Sequence, residues 1–188
     1  PVDITGDVTV SGATTRPING RFVLTPVHID QLNYAQWFWA RASGGSVERL
    51  APDQETAGRS ARQAFTNGQA SAVKAAAAAC GADPESLRVE FRDRDLVGPS
   101  AGLVFALAVA DLLDPADLAA GRTIAATGSI DATGRVFDVG FVDKKVAVAR
   151  AAGADVLFVP RGQNHGFTGI DVIEVATLRE AVAALRAQ

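Results

Sequence analysis

Beyond Gly81 the chain alternates short β-branched runs with helical stretches, and this alternation confines it to an α/β architecture. Residues 87–91, 123–127, 135–139, 156–159 and 172–175 read as strands. Between them lie an apolar helix led by Gly98-Pro99-Ser100-Ala101-Gly102 and ending near Leu113, a helix over about 142–152, and a closing helix. The closing helix starts at Thr177 with Glu180 three residues on, the capping-box spacing. Asp131-Ala132-Thr133-Gly134 supplies a turn, and Pro160 stops the strand before it. The expected architecture is an α/β domain with a mixed sheet.

The first third reads as strands followed by helix. Residues 7–10 and 21–29 are β-branched and apolar, with Gly12, Pro17, Asn19 and Gly20 between them as turn formers. Asn33 is placed to cap a helix carrying Tyr34, Trp37, Phe38 and Trp39, interrupted at Gly44 and Gly45. Residues 53–80 form an Ala-rich helix with an expected break near Asn67 and Gly68 and a stop at Gly81. At 188 residues, with no repeat and no low-complexity linker, the chain reads as one domain over 1–188. Its N-terminal part, 1–68, holds the first strands and the aromatic helix, and 69–188 holds the motifs described below.

Charge and residue usage remove several function classes. Net charge is −3, which leaves no electrostatic footprint for nucleic acid. The longest apolar run, 103–110, is far short of the roughly 20 residues of a membrane-spanning helix. Cys80 is the single cysteine, so an internal disulfide framework and a multi-cysteine metal site are excluded. His28 and His165 stand far apart without zinc-type spacing. His28 reads as a satisfied strand residue and His165 as a loop residue. The chain starts at Pro1 and has no methionine, so an N-terminal segment, including any membrane anchor, is expected to be missing from it.

Two residues stand out chemically. Ser100 sits at a helix mouth, after a rigid Gly98-Pro99 and before a small Ala101-Gly102 pair. Backbone N–H groups there can cap onto the hydroxyl, or can stabilise an oxyanion if the hydroxyl attacks a carbonyl. A serine nucleophile needs a base, and no histidine lies in a recognisable triad motif. The chain has 15 arginines and only three lysines, Lys74, Lys144 and Lys145. On a helix, Lys145 has Phe141, Val142, Val148 and Ala149 as its neighbours three and four positions away. That apolar flank would depress the amine's pKa if buried, or would merely carry its methylene stem if exposed. Thr127, at a strand end before Gly128, has a hydroxyl that can hold an amine and is also an ordinary β-branched strand residue.

Taken together these pieces resemble the Lon protease catalytic domain. Gly98-Pro99-Ser100-Ala101-Gly102, Thr127-Gly128-Ser129-Ile130, Gly134-Arg135-Val136, Gly140-Phe141-Val142-Asp143-Lys144-Lys145, Ala151-Ala152-Gly153-Ala154 and Phe158-Val159-Pro160 follow in that family's order, over residues 69–188. The resemblance implies the Lon proteolytic fold and a Ser–Lys dyad peptidase working through an acyl-enzyme. It assigns Ser100 as nucleophile, Lys145 as general base and Thr127 as the residue that contacts the lysine, with Gly98, Pro99, Ala101 and Gly102 shaping the turn. It also implies a polypeptide substrate, chemistry that requires neither metal nor organic cofactor, and a homo-oligomer, the family's hexameric ring.

Residues 20–40 are similar to the YlbL-like branch, whose members are anchored by an N-terminal membrane helix with the domain outside the cytoplasm; that localisation is the corresponding expectation. Two positions depart from the family pattern: Val97 before Gly-Pro-Ser, and Phe141 where a second glycine is usual. The segment 81–97 is too short for the PDZ domain of that branch, and no Walker A loop is present, so an ATP-independent enzyme is expected. The departures keep a second reading open, a non-catalytic Lon-fold module that binds peptides or assembles a ring. A third reading, a phosphate-binding small-molecule kinase, is set back by a glycine-rich turn shorter than phosphate loops. The aromatic helix is expected to serve core packing, or else a subunit or membrane-proximal contact, and Asp93 and Asp95 to be solvated loop acids, or else to orient the lysine or the Ser100 loop.

Overall fold

A computed structural model of the protein describes residues 1–27, 54–92 and 98–187. The expected aromatic helix, His28, Asp93, Asp95 and Val97 lie outside the described residues. The elements run β1 (Val2–Asp3), β2 (Val8–Ser11), β3 (Arg21–Leu24), α1 (Gln54–Cys80), β4 (Arg88–Phe91), a 3-10 turn (Pro99–Ala101), α2 (Gly102–Leu113), β5 (Thr123–Ala126), β6 (Ser129–Ile130), β7 (Val136–Phe137), α3 (Val142–Ala151), β8 (Val156–Pro160), β9 (Asp171–Val175) and α4 (Leu178–Arg186).

The main sheet has the order β1-β3-β5-β8-β9. Strands β3, β5, β8 and β9 are parallel, and β1 pairs antiparallel with β3, so the sheet is mixed. Side chains alternate across it with the period of two that strands impose. Phe22, Leu24, Ile124, Ala126, Val156 and Phe158 face the larger core, which α1, α2 and α4 share. Val23, Ala125, Leu157 and Val159 face the other way and meet Val142, Val146 and Ala149 of α3. This layering is an α/β fold with a mixed sheet between packed helices. Two small antiparallel pairs, β2–β4 and β6–β7, complete the strands.

Helix α2 is apolar on every side, and its residues from Gly102 to Asp111 are all buried. A helix of that kind belongs in a domain centre. Phe105 receives Phe65 of α1 and Phe91 of β4 edge to face, with ring centroids 5.7 and 4.9 Å away. At the far end of α2, Asp111 Oδ1 accepts from the N–H groups of Leu118 and Ala119 at 2.7 and 3.0 Å and from Arg16 Nη2 at 3.2 Å. Burial raises its pKa above the ordinary carboxylate value.

Several expected boundaries shift for identifiable reasons. Helix α1 does not break at Asn67 and Gly68; it continues from Gln54 to Cys80. Gly68 is buried against the 3-10 turn, where an added Cβ would sit 3.7 Å from the Pro99 carbonyl oxygen. Tertiary packing there overrides the weak helix propensity of glycine. Gly81 does end the helix: its φ is +71°, and the Ala82 N–H reaches back to the Ala77 carbonyl at 2.9 Å, the Schellman pattern. The strand expected over 21–29 ends at Leu24, where its partner β1 ends. The strand expected over 135–139 ends at Phe137, where the β6 ladder ends. Pro160 is the last residue of β8 and pairs with Val175, since a strand's final position tolerates a missing N–H.

Candidate active site

Ser100 and Lys145 come from opposite faces of the sheet. Ser100 lies in the 3-10 turn that leads into α2 on one face, and Lys145 lies in the first turn of α3 on the other. They meet over the carboxyl end of β5, where Thr127 follows the strand's last residue. In open α/β sheets the carboxyl ends of parallel strands are where such crevices form.

Each approach is fixed locally. Gly98 takes φ +91°, and no other heavy atom lies within 4 Å of where its Cβ would be, so a side chain is excluded there by backbone conformation and not by space. Its N–H donates to the Ala61 carbonyl of α1 at 2.9 Å, and Pro99 then sets φ for the first position of the turn. The Ser100 carbonyl accepts the Gly128 N–H at 2.9 Å, and the Leu103 N–H donates to the Gly128 carbonyl at 3.0 Å. Those two bonds lock the serine turn onto the β5–β6 connection.

Gly102 permits that approach. A Cβ there would stand 2.8 Å from Ile130 Cγ2 and 3.1 Å from the Ile130 backbone nitrogen. Gly102→Ala is therefore expected to lower unfolding free energy by about 1–3 kcal/mol through overpacking. Chemical denaturation with an unchanged m-value would measure it.

Ser100 does not act as a helix cap. The residues in the cap positions are Gly98 for the 3-10 turn and Ala101 for α2, and neither cap carries a side-chain hydrogen bond. The Ser100 hydroxyl instead accepts from Lys145 Nζ at 2.9 Å. Lys145 Nζ also donates to Thr127 Oγ1 at 2.9 Å, and Thr127 Oγ1 donates to the Ser100 carbonyl at 3.4 Å. Thr127 is 1% exposed, and its N–H is tied to the Phe158 carbonyl at 2.9 Å. The structure thus brings Ser100, Lys145 and Thr127 together, with Gly98, Pro99, Ala101 and Gly102 in the turn that presents the serine.

Lys145 is 6% exposed. Burial lowers its pKa from the ordinary 10.5 to about 8. Among the described residues no carboxylate pairs with the amine; its partners there are the two hydroxyls. The neighbouring Lys144 is half-buried and stacks over the Phe141 ring, its Nζ 5.1 Å from the ring centroid. Phe141 holds φ +59°, the left-handed region, at the N-cap of α3. That conformation suits glycine, and a bulky residue in it is held by its surroundings.

Gln163 is a site-adjacent residue that sequence reasoning passed over. Its side-chain amide bonds both backbone groups of Val139, just before α3. Only its place after the Pro160 turn hints at this, and a lone Gln carries no pattern. His165 is exposed and stacks edge to face on Phe167 with centroids 6.0 Å apart, away from this chemistry. Cys80 is a free thiol packed against the α2 carbonyl of Ala110.

Among the described residues no cluster of His, Cys, Asp or Glu is arranged to hold a metal, and no helix is long and apolar enough to cross a membrane. No curated protein matches the chain. Residues 93–180, which include Ser100, Thr127, Lys145 and Gln163, match the Lon protease (S16) C-terminal proteolytic domain.

Proposed function

We propose that the protein is an ATP-independent serine peptidase in which Ser100 and Lys145 form a catalytic dyad. The observation that carries this reading is the buried amine of Lys145, 2.9 Å from both Ser100 Oγ and Thr127 Oγ1. A neutral amine has two N–H donors and one lone pair. With one N–H on Thr127, the lone pair can accept the Ser100 hydroxyl proton along the same 2.9 Å contact. Serine Oγ then bonds to a peptide carbonyl carbon, and the carbonyl oxygen becomes an oxyanion at the helix mouth, where backbone N–H groups and the α2 dipole favour negative charge. The lysine next gives its proton to the leaving amine as the C–N bond breaks, leaving an acyl-enzyme. Water, deprotonated by the same lysine, hydrolyses the ester and restores the serine.

Thr127 keeps the amine aimed while adding no charge that would hold it protonated. The similarity of residues 20–40 to the YlbL-like branch, and of the motif region to Lon domains, extends the proposal to a membrane-anchored protein outside the cytoplasm that works as a homo-oligomeric ring on polypeptide substrates.

The test is covalent labelling with a fluorophosphonate, which bonds only to an activated serine. The expected result is one adduct per chain, located on Ser100 by peptide mass mapping and lost in Ser100→Ala. A folded protein that takes no label at pH 9, where Lys145 is mostly neutral, would favour the non-catalytic Lon-fold module.

A further inference from the structure

Between the end of β7 at Phe137 and the start of α3 at Val142 the chain crosses four residues outside any strand or helix. This short connection determines where α3 begins, and so how far Lys145 reaches over Thr127. Its last residue, Phe141, has a left-handed backbone and no side-chain cap. The connection therefore needs an outside support.

Gln163 supplies one. Its Oε1 accepts the Val139 N–H at 3.2 Å and its Nε2 donates to the Val139 carbonyl at 2.9 Å. The amide reproduces, with one side chain, the two-bond pairing that a neighbouring strand would give. Gln163 is itself held firmly. Pro160 to Gln163 forms a tight turn in which the Gln163 N–H donates to the Pro160 carbonyl at 3.1 Å and Gly162 takes φ +85°, the type II pattern. The next residue, Asn164, donates its side-chain Nδ2 to the Val172 carbonyl at 3.2 Å and its backbone N–H to Glu174 Oε1 at 2.7 Å, which fastens the turn to β9. The turn, the amide and Val139 thus join the rigid β8–β9 edge to the approach of α3.

We infer that Gln163 is a positioning residue for Lys145: its two bonds to Val139 fix the start of α3 so that the amine stays seated, away from water, between Ser100 and Thr127. This deepens the dyad reading and rests on it for its catalytic meaning. Among the described residues, the charged groups that α3 carries besides Lys145 are Asp143, which is exposed, Lys144, which turns to Phe141, and Arg150, in the last turn. From the facing elements the amine meets the hydroxyls of Ser100 and Thr127. A change in its titration after an uncharged substitution at 163 therefore reports hydration of the amine.

The experiment is carbon NMR of protein labelled at lysine Cε, whose shift follows protonation. Three lysines give three signals, and Lys145→Arg identifies the one of interest. Gln163→Met keeps the length of the side chain, removes both hydrogen bonds and adds no charge. In it, the Lys145 midpoint is expected to move up by about one pH unit, toward that of a hydrated lysine, while Lys74 and Lys144 stay in place. Cleavage below the midpoint should fall about tenfold through kcat, with its rising limb shifted by the same amount and KM little changed. Mere destabilisation would scale activity without moving either midpoint. Gln163→Ala, checked by circular dichroism, is the second variant. An unmoved Lys145 midpoint in either folded variant overturns the inference. A shifted midpoint in a protein that cleaves nothing, even unsubstituted, supports the positioning role and rejects the peptidase reading.

Discussion

Lys145→Arg should lower peptide cleavage by about 10³-fold or more, while Lys144→Arg should keep most of the wild-type rate. The two residues are neighbours, of one type and on one helix, yet their environments differ. Lys145 is 6% exposed and bonded to two hydroxyls. Lys144 is half-buried and lies over an aromatic ring. A guanidinium remains protonated at any working pH, so arginine at 145 has no lone pair to take the serine proton, whatever geometry it adopts. Arginine at 144 retains both the charge and the stacking on Phe141. The measurement is steady-state hydrolysis of an unstructured polypeptide, with Ser100→Ala as the blank. Equal losses in the two variants would mean that general disturbance of α3, and not proton transfer, is being read. Retained activity in Lys145→Arg would remove the dyad.

Much of this site could be read from residue order, because the motifs are local. Gly98-Pro99-Ser100-Ala101-Gly102 defines its own turn, and the apolar spacing around Lys145 anticipates burial of one face of α3, as found at Val142, Val146 and Ala149. The alternation of strands and helices likewise suffices for an α/β fold. The approach of the two helices from opposite faces of the sheet was not legible, since strand order is a long-range property: β3 and β5 are neighbours although α1, β4 and α2 intervene. Gly68 misled for the same reason. Local propensity marks it as a break, and only the fold reveals that it is buried against the Pro99 backbone. Gln163 was invisible because its partner is the backbone of Val139, 24 positions earlier, and backbone atoms have no sequence signature.

Both activity and stability should rise with pH, in adjoining windows, through the one amine of Lys145. Its pKa is lowered by burial to about 8 in the folded protein, against 10.5 for an exposed lysine. Only the neutral amine can accept the Ser100 proton, so kcat/KM should climb about tenfold per pH unit below about 8 and level off above it. Folding responds next. At pH 7 the folded and unfolded chains both hold the proton, and keeping a charged amine in a site that excludes water opposes folding. Between about 8 and 10.5 the folded chain has released the proton and the unfolded chain has not. Stability therefore increases across that window and is fully gained above the upper value. The span corresponds to about 3 kcal/mol. Urea denaturation at pH 7, 8.5 and 10, comparing the protein with Lys145→Met, isolates this group from the other titrations. Lys145→Met should be the more stable of the two at pH 7, with the difference narrowing steadily toward pH 10. A difference that stays constant with pH would mean that Lys145 titrates alike in the folded and unfolded chains, and the rising activity would then need another base.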